Sequence, residues 1–191
     1  MKKIFLVLIL FFGSINILNA EVNRIISGNK EAKITIIAYE SLTCSHCADF
    51  HKDIYPQLKK DYIDTGLVKI EFRHFPLDVA AFNASKISQC KIGKGLEILN
   101  SLYSNQQEWV RGNTVEEINN NLKIFIKNQG FEVNFEKCIN NKRIEDYVLN
   151  DRIEGTKKFK VNATPTIIIN DEKFEKTLNY KNLKKSLEKL I

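Results

Sequence analysis

The 191-residue sequence contains little proline, glycine or methionine. Three prolines and eight glycines are too few for a long low-complexity linker. The only methionine is Met1, so no methionine–histidine ligand set accompanies the cysteines, as a copper carrier would need. Hydrophobic residues make up 43% of the chain and charged residues 27%, which is ordinary globular composition. The length fits one domain with a sizeable core.

A basic stripe is also missing, although the formal net charge is +6. Lysines occur in scattered pairs mixed with acidic residues, at Lys59-Lys60, Lys157-Lys158 and Lys184-Lys185. Proteins that bind nucleic acids concentrate positive charge on one face or along one helix. We therefore interpret these lysines as solvated helix surfaces and expect no nucleic-acid partner.

The first twenty residues predict a secretory signal peptide. Lys2 and Lys3 give a positive start, and residues 4–12 form an unbroken apolar run. Ala20 then precedes a polar segment, which completes the order typical of such a leader, with cleavage after Ala20. The alternative is an uncleaved membrane anchor, but residues 4–18 are shorter than the roughly 20 apolar residues of a membrane span.

Hydrophobic patterns predict strands at both ends of the mature chain and helices in its middle. Residues 34–39 are β-branched and apolar, as in a buried strand, and residues 67–75 alternate as a second strand. Between them, apolar residues at helical spacing predict a helix that Thr43 caps and Pro56 kinks. The remaining predicted elements are a helix with a capping box at Thr114 to Glu117, a helical stretch over residues 135–159, strands over 166–169 and 173–176, and a helix over 180–191 with Leu183, Leu187 and Leu190 on one side.

This order describes a βαβ half and a ββα half around one sheet, with helices inserted between them. The predicted divisions are the signal peptide at residues 1–20, the first half at 21–77, the helical insertion at 78–155 and the second half at 156–191.

Cys44-Ser45-His46-Cys47 stands at the predicted start of the first helix. A sulfur at that position lies among unpaired N–H groups at the positive end of the helix dipole. Such cysteines can have a pKa of roughly 3.5–7.5 instead of about 8.5. The ring of His46 can add a hydrogen bond or positive charge beside the Cys44 thiolate. Because stabilising the reduced form makes a disulfide a stronger oxidant, the pattern predicts a redox-active pair.

Other roles for the four cysteines stay open at this point. A structural zinc site would need Cys90, Cys138 or a histidine as further ligands, and an inert Cys44–Cys47 disulfide is also conceivable. In an oxidising compartment four cysteines allow three pairings. We favour a structural bridge between Cys90 and Cys138, with free buried cysteines as the alternative, and predict no metal site. His51 and His74 are expected to be ordinary surface or strand residues.

Four segments carry a family resemblance. They are Gly28-Asn29 with Ala32-Lys33-Ile34-Thr35-Ile36, then Cys44-Ser45-His46-Cys47, then Phe72-Arg73-His74-Phe75-Pro76-Leu77, and finally Ala163-Thr164-Pro165-Thr166. In this order they resemble the DsbA-like branch of the thioredoxin superfamily, across residues 28–191. The resemblance implies an α/β thioredoxin-like fold, in which a central mixed sheet has flanking helices and an inserted all-helical subdomain. It also implies that Pro165 is cis and faces the Cys44–Cys47 disulfide, and that the backbone of Thr164 binds an extended substrate.

Two positions depart from the family pattern. Members often carry a buried acidic residue six positions before the first cysteine, where this chain has Ala38. Glu40 follows two residues later and is expected on a different face. The residue before the cis-proline is commonly valine in the oxidases and threonine in related isomerases, so Thr164 leaves the direction of electron flow open.

The function implied by the resemblance is the introduction of disulfide bonds into periplasmic or secreted proteins through Cys44 and Cys47, with no cofactor. The expected partners are exported proteins with cysteine thiols and a quinone-linked membrane reoxidase. The alternatives are a disulfide isomerase or reductase of the same fold, and a metal-binding protein of that fold. Such isomerases usually dimerise through an extra N-terminal domain, for which the stretch between Ala20 and the first strand is too short, so we expect a monomer in the periplasm.

Overall fold

The computed structural model describes residues 22–191. The strands are β1 (Ile25–Ser27), β2 (Ile34–Glu40), β3 (Val68–His74), β4 (Thr166–Ile169) and β5 (Glu172–Lys173). The helices are α1 (Ser45–Asp49), α2 (Tyr55–Leu58), α3 (Val79–Gln89), α4 (Gly95–Ser104), α5 (Gln106–Trp109), α6 (Val115–Asn128), α7 (Phe135–Ile139), α8 (Lys142–Phe159) and α9 (Tyr180–Leu187). The predicted signal peptide, residues 1–20, lies outside the described residues. Among residues 22–191, none of the helices is both long and apolar enough to cross a membrane.

The strands form one mixed sheet in the order β1-β3-β2-β4-β5. The central strand β2 pairs parallel with β3 and antiparallel with β4. The short strands β1 and β5 pair antiparallel with β3 and β4 at the two edges. Helices cover the sheet, and α3 to α8 all lie between β3 and β4 in the sequence. The predicted α/β architecture with a central mixed sheet is therefore confirmed.

The strands with long β-branched runs were predictable, and the short ones were not. The predicted strand over residues 173–176 is wrong, because β5 comprises only Glu172–Lys173. The edge strand β1 has no counterpart among the predicted elements.

The turn between β4 and β5 is formed by Asn170 and Asp171, with φ of 46° and 67°. Two adjacent residues with positive φ are what a two-residue type I′ hairpin requires.

The helix that follows β2 is irregular. α1 passes into a π-helical segment (Phe50–Ile54), then into α2, and then into a second π-helical segment (Lys59–Ile63). Pro56 lies in the first turn of α2. Because proline has no N–H to donate, the chain widens into π turns around it instead of keeping regular α-helical bonds. The helix is thus irregular around Pro56, and the kink predicted at this residue stays a prediction.

The predicted N-cap of this helix is wrong. Cys44, with φ of −80° and ψ of 121°, is the N-cap residue. The hydroxyl of Thr43 donates instead to Asp78 Oδ2, at 2.6 Å, and so ties the loop before the helix to the start of α3. Cys44 is therefore one position nearer the loop than the sequence suggested.

The helical block between β3 and β4 differs from its prediction in detail. Thr114 caps α6, but Glu117 accepts from the N–H of Asn113 rather than from that of the cap residue. The helical stretch predicted over residues 135–159 is two helices, α7 and α8, because Asn141 begins a new helix by accepting from two backbone N–H groups. The predicted division between residues 155 and 156 falls within α8. The last helix, α9, ends at Leu187 rather than at the predicted residue 191. Leu190 therefore lies beyond it, is 49% exposed and does not share the buried side of Leu183 and Leu187.

The core consists of two apolar clusters on opposite faces of the sheet. Since side chains alternate along a strand, Ile36 and Ala38 of β2 join the larger cluster, while Ile37 and Tyr39 join the smaller one. The larger cluster includes Cys47 and packs the active-site helix and the helical block against the sheet. The smaller cluster includes Phe159 at the end of α8.

Candidate active site

Two distant segments meet at the sulfur of Cys44. Cys44 lies half-buried at the N-cap of α1, and its Sγ is 3.4 Å from the carbonyl oxygen of Thr164. The Thr164–Pro165 peptide bond is cis, and β4 begins at the next residue. The structure thus brings together Cys44, Cys47 and Thr164, three of the residues singled out from the sequence.

The surroundings of Cys44 favour a thiolate. Its pKa is lowered from the ordinary value of 9.0 to about 5, chiefly by a hydrogen bond from the Cys47 thiol. Burial opposes this effect, whereas the side chain of Thr164 and the backbone N–H groups of Cys47 and His46 lower the pKa further. These N–H groups belong to the first turn of α1, at the positive end of the helix dipole. At neutral pH Cys44 is therefore a partly accessible thiolate.

Cys47 has the opposite character. It is 0% exposed, and burial raises the pKa of its thiol far above the ordinary value. The hydrogen bond to Cys44 and the negative charge of Glu40 raise this pKa further. An accessible thiolate beside a shielded thiol can form a mixed disulfide at the first sulfur and release it through the second.

The His46 side chain lies in solvent. It is 82% exposed, and its Nδ1 is 3.6 Å from Oδ2 of Asp49. The contribution of His46 to the Cys44 thiolate comes from its backbone N–H. The hypothesis that the His46 ring stabilises the thiolate therefore finds no support in this geometry.

A buried acidic residue lies near Cys47, at a position that the sequence analysis dismissed. Glu40 is 3% exposed, and its Oε2 is 2.9 Å from Nε2 of His51. The expectation that Glu40 lies on a different face from Ala38 is wrong, because strand residues two apart point to the same face. The alternation of β2 was the signal that could have placed it correctly.

His51 was also misjudged. It is 9% exposed and lies in the π-helical segment Phe50–Ile54, so it is neither a surface nor a strand residue. Its ring stacks on that of Tyr103, with 4.1 Å between the ring centroids. His74 lies in a strand as expected, at the end of β3, but it is buried and contacts Gln89.

The other two cysteines form a disulfide. Cys90, at the end of α3, is bonded to Cys138 in α7, with Cα atoms 5.6 Å apart. Because these two sulfurs are bonded to each other, they cannot bind zinc together with Cys44 and Cys47. The alternative of a four-cysteine zinc site is therefore wrong. In the part of the chain that the structure describes, no three His, Cys, Asp or Glu side chains form a group that could hold a metal ion.

Comparison with known proteins identifies the family. A family model described as thioredoxin matches residues 20–189. The crystal structure of Wolbachia pipientis alpha-DsbA1 has a TM-score of 0.77 and 30% identity to this chain, and the match covers 88% of this chain and 90% of the other. This chain is a DsbA-like member of the thioredoxin superfamily. The thioredoxin-like fold that the resemblance implied is therefore confirmed.

Named relatives of this DsbA-like chain are connected with disulfide chemistry. Disulfide bond formation protein D of Bacillus subtilis is 26% identical over 172 residues, which are 85% of this chain and 74% of that protein. A Rickettsia prowazekii protein, provisionally named a protein-disulfide oxidoreductase, is 27% identical over 173 residues, which are 88% of this chain but 62% of that protein. The chain thus spans less than two thirds of the length of the Rickettsia relatives that it matches.

Proposed function

We propose that this protein catalyses thiol–disulfide exchange through Cys44 and Cys47, and that it oxidises thiols of exported proteins. The observation that carries the proposal is the contrast between the two sulfurs. The pKa of Cys44 is about 5, whereas Cys47 is fully buried and its pKa is raised. A stabilised thiolate favours the reduced form, and a pair whose reduced form is stabilised is a strong oxidant.

The proposed cycle starts from the Cys44–Cys47 disulfide. A substrate thiolate attacks Sγ of Cys44, and the Cys44–Cys47 bond breaks with its electron pair on Cys47. The high pKa of Cys47 means that this sulfur then takes up a proton. A second substrate thiolate attacks the substrate sulfur of the mixed disulfide, and Cys44 leaves as a thiolate. The substrate gains a disulfide and the protein gains two electrons, with the low pKa of Cys44 making it a good leaving group.

Thr164 and Pro165 have a proposed role in holding the substrate. The carbonyl of Thr164 reaches the Cys44 sulfur, so a polypeptide bound along Thr164 would bring its own sulfur to the same place. Backbone pairing of this kind binds extended chains with little regard to their sequence. Such tolerance suits an enzyme that acts on many unfolded substrates.

The proposed location is the periplasm, with exported cysteine-containing proteins as substrates, a quinone-linked membrane protein as reoxidant, and a monomeric state. The predicted leader supports export. The Cys90–Cys138 disulfide supports it independently, because such bonds persist in oxidising compartments. The name of the Bacillus subtilis relative is consistent with an oxidising role.

The test is the oxidation of a reduced, unfolded protein by the purified oxidised protein, with free thiols counted over time. Cys44→Ser should abolish the reaction. Cys47→Ser, incubated with the same substrate in its disulfide-bonded form, should accumulate mixed disulfides on a non-reducing gel, because Cys44 attacks a substrate disulfide and position 47 has no sulfur to release the product. Lys52→Ala, at an exposed position of the same helix, is the matched control and should react like the wild type. Disulfide formation by the Cys44→Ser variant would contradict the proposal.

The second candidate function is disulfide isomerisation or reduction, which the threonine at position 164 favours. The side chain of Thr164 helps to lower the pKa of Cys44, so it reaches the sulfur at which a substrate would be bound. A substrate with scrambled disulfides distinguishes the candidates. An isomerase restores the activity of the scrambled substrate without a net loss of thiols, whereas an oxidase acts only on reduced substrate.

A further inference from the structure

The side chain of Gln106, in the helical block, hydrogen-bonds to two carbonyls of the active-site loop. Gln106 begins α5 and is 7% exposed. Its Nε2 donates to the carbonyl oxygen of Leu42 at 2.9 Å and to that of Cys44 at 3.0 Å. Both hydrogens of the amide are used, so one planar group holds the carbonyls on either side of Thr43.

The orientation of the Leu42 and Cys44 carbonyls matters because both belong to the loop that carries the reactive sulfur. A carbonyl oxygen carries partial negative charge and opposes a thiolate that it faces, whereas a backbone N–H stabilises it. The groups that face the Cys44 sulfur from α1 are the N–H groups of His46 and Cys47. With the carbonyls of Leu42 and Cys44 bonded to α5, the loop is fixed in the arrangement that presents N–H groups to the sulfur.

Helix α5, which carries Gln106, is anchored to α4 by a contact that does not involve the loop. Trp109, at the end of α5, is 0% exposed, and its Nε1 donates to the carbonyl of Leu102 in α4 at 2.9 Å. The other anchors of the loop are Thr43, bonded to Asp78, and Ser41, whose hydroxyl accepts from a backbone N–H. The carbonyl of Cys44 also accepts from the N–H groups of Cys47 and Ala48, both at 3.2 Å. None of these contacts reaches the carbonyl of Leu42, so Gln106 ties that carbonyl to the Cys44 carbonyl and supplies a restraint that the others do not.

We propose that Gln106 is a positioning residue for thiol–disulfide exchange, which fixes the carbonyls of Leu42 and Cys44 and thereby keeps the active-site loop in the form that stabilises the Cys44 thiolate. This role rests on the proposed function and deepens it, because it makes the oxidising strength of the pair depend on the helical block.

The test compares Gln106→Met with Gln107→Met in the full mature protein. Methionine keeps the length and volume of glutamine but lacks its donors, and Gln107 is the exposed neighbour in the same helix. In the reduced protein, the pKa of Cys44 is read from the ultraviolet absorbance of the thiolate against pH. We expect Gln106→Met to raise it by about half a unit to one unit, and Gln107→Met to leave it unchanged.

The equilibrium with glutathione gives a second readout. Gln106→Met should shift the equilibrium constant with glutathione about threefold to tenfold towards the Cys44–Cys47 disulfide. This corresponds to a reduction potential of the pair that is about 15–30 mV more negative. A purely structural role would lower the stability of the protein without moving either quantity. Gln106→Asn, which withdraws the amide by one methylene, should give a smaller shift in the same direction.

The outcomes separate this role from the proposed function. If Gln106→Met folds and keeps the wild-type pKa and equilibrium constant, Gln106 is not a positioning residue, and the proposed function stands. If Gln106→Met fails to fold, the same two quantities are measured in Gln106→Asn. A wild-type pKa of Cys44 and a wild-type equilibrium constant in that variant also overturn the positioning role. A wild-type protein that does not exchange disulfides with glutathione overturns the proposed function itself.

Discussion

Cys44 and Cys47 are three positions apart, yet they occupy different environments. The Cys44 sulfur is half-buried and receives hydrogen bonds from Cys47 and from backbone N–H groups. The Cys47 sulfur is shielded from water and lies in the negative field of Glu40. One turn of helix therefore holds both a reactive thiolate and a protected thiol.

The low pKa of Cys44 makes the stability of the reduced protein depend on pH. This pKa is about 5 in the folded state and near 9.0 when unfolded, so the unfolded state binds more protons between these values. Stability therefore rises with pH, and the contribution is lost as the pH falls through about 5. We expect the free energy of unfolding in urea to rise from about pH 5 to about pH 8 in the reduced protein, relative to the oxidised protein. Equal pH dependence of the two forms would contradict the low pKa.

Sequence reasoning at the residue scale found the reactive cysteines because a Cys-x-x-Cys at a helix start has a local physical signature. It missed the contact between Glu40 and His51. The position of Glu40 follows from strand alternation and could have been predicted. The burial of His51 depends on the π-helical segment Phe50–Ile54, and no spacing rule for a regular α-helix would have placed it there.

At the scale of elements, α8 packs against β2 through a glycine. A Cβ added to Gly155 would lie 2.8 Å from Cε1 of Tyr39, which is closer than real Cβ contacts allow. The ring of Tyr39 is 0% exposed and packs against Phe75 and Phe159, so it has little room to move. The helix thus approaches the sheet at a distance that only glycine permits.

Gly155→Ala should therefore destabilise the protein. Alanine is favoured in a helix by about 1 kcal/mol, but overpacking a buried contact typically costs about 1–3 kcal/mol. We expect a net loss of about 1 kcal/mol in the free energy of unfolding, measured in urea. Lys157→Ala, at an exposed position of the same helix, should change it little. A more stable Gly155→Ala protein would show that Tyr39 moves aside easily.

The elements that could be predicted are those whose own composition determines them. β2, β3 and β4 are rich in isoleucine and valine, and their pattern was sufficient. β1 and β5 are three and two residues long and exist because longer strands offer them backbone partners. The division between α7 and α8 depends on a cap at Asn141 inside a segment that otherwise reads as one helix.

At the scale of the whole molecule, the Cys90–Cys138 disulfide ties the start of the helical block to its later part. The two residues are 48 positions apart, and the bond joins α3 to α7. The chain-entropy account assigns such a loop about 4 kcal/mol, and measured effects are often smaller.

Replacing both cysteines tests whether this bridge is structural. The Cys90→Ala/Cys138→Ala protein should lose about 2–4 kcal/mol in the free energy of unfolding, because its unfolded chain is less restricted. The pKa of Cys44 should stay at about 5, since neither Cys90 nor Cys138 is among the groups that lower it. Unchanged stability would mean that the bridge does not stabilise the fold.

The global arrangement was predictable only in part. The order of strands and helices indicated two halves around one sheet, and the structure has that sheet. The contact between Cys44 and Thr164 joins residues 120 positions apart, and local patterns carry no information about it. It was expected only from the family resemblance, which rests on four segments read together.

The most direct test of the central claim, that Cys44–Cys47 is an oxidising disulfide, is its reduction potential in glutathione buffers. We predict a value near the roughly −120 mV of DsbA, because the stabilised Cys44 thiolate favours the reduced form. A value near the roughly −270 mV of thioredoxin would mean that the protein donates electrons to its partners, and would contradict the proposed direction of catalysis.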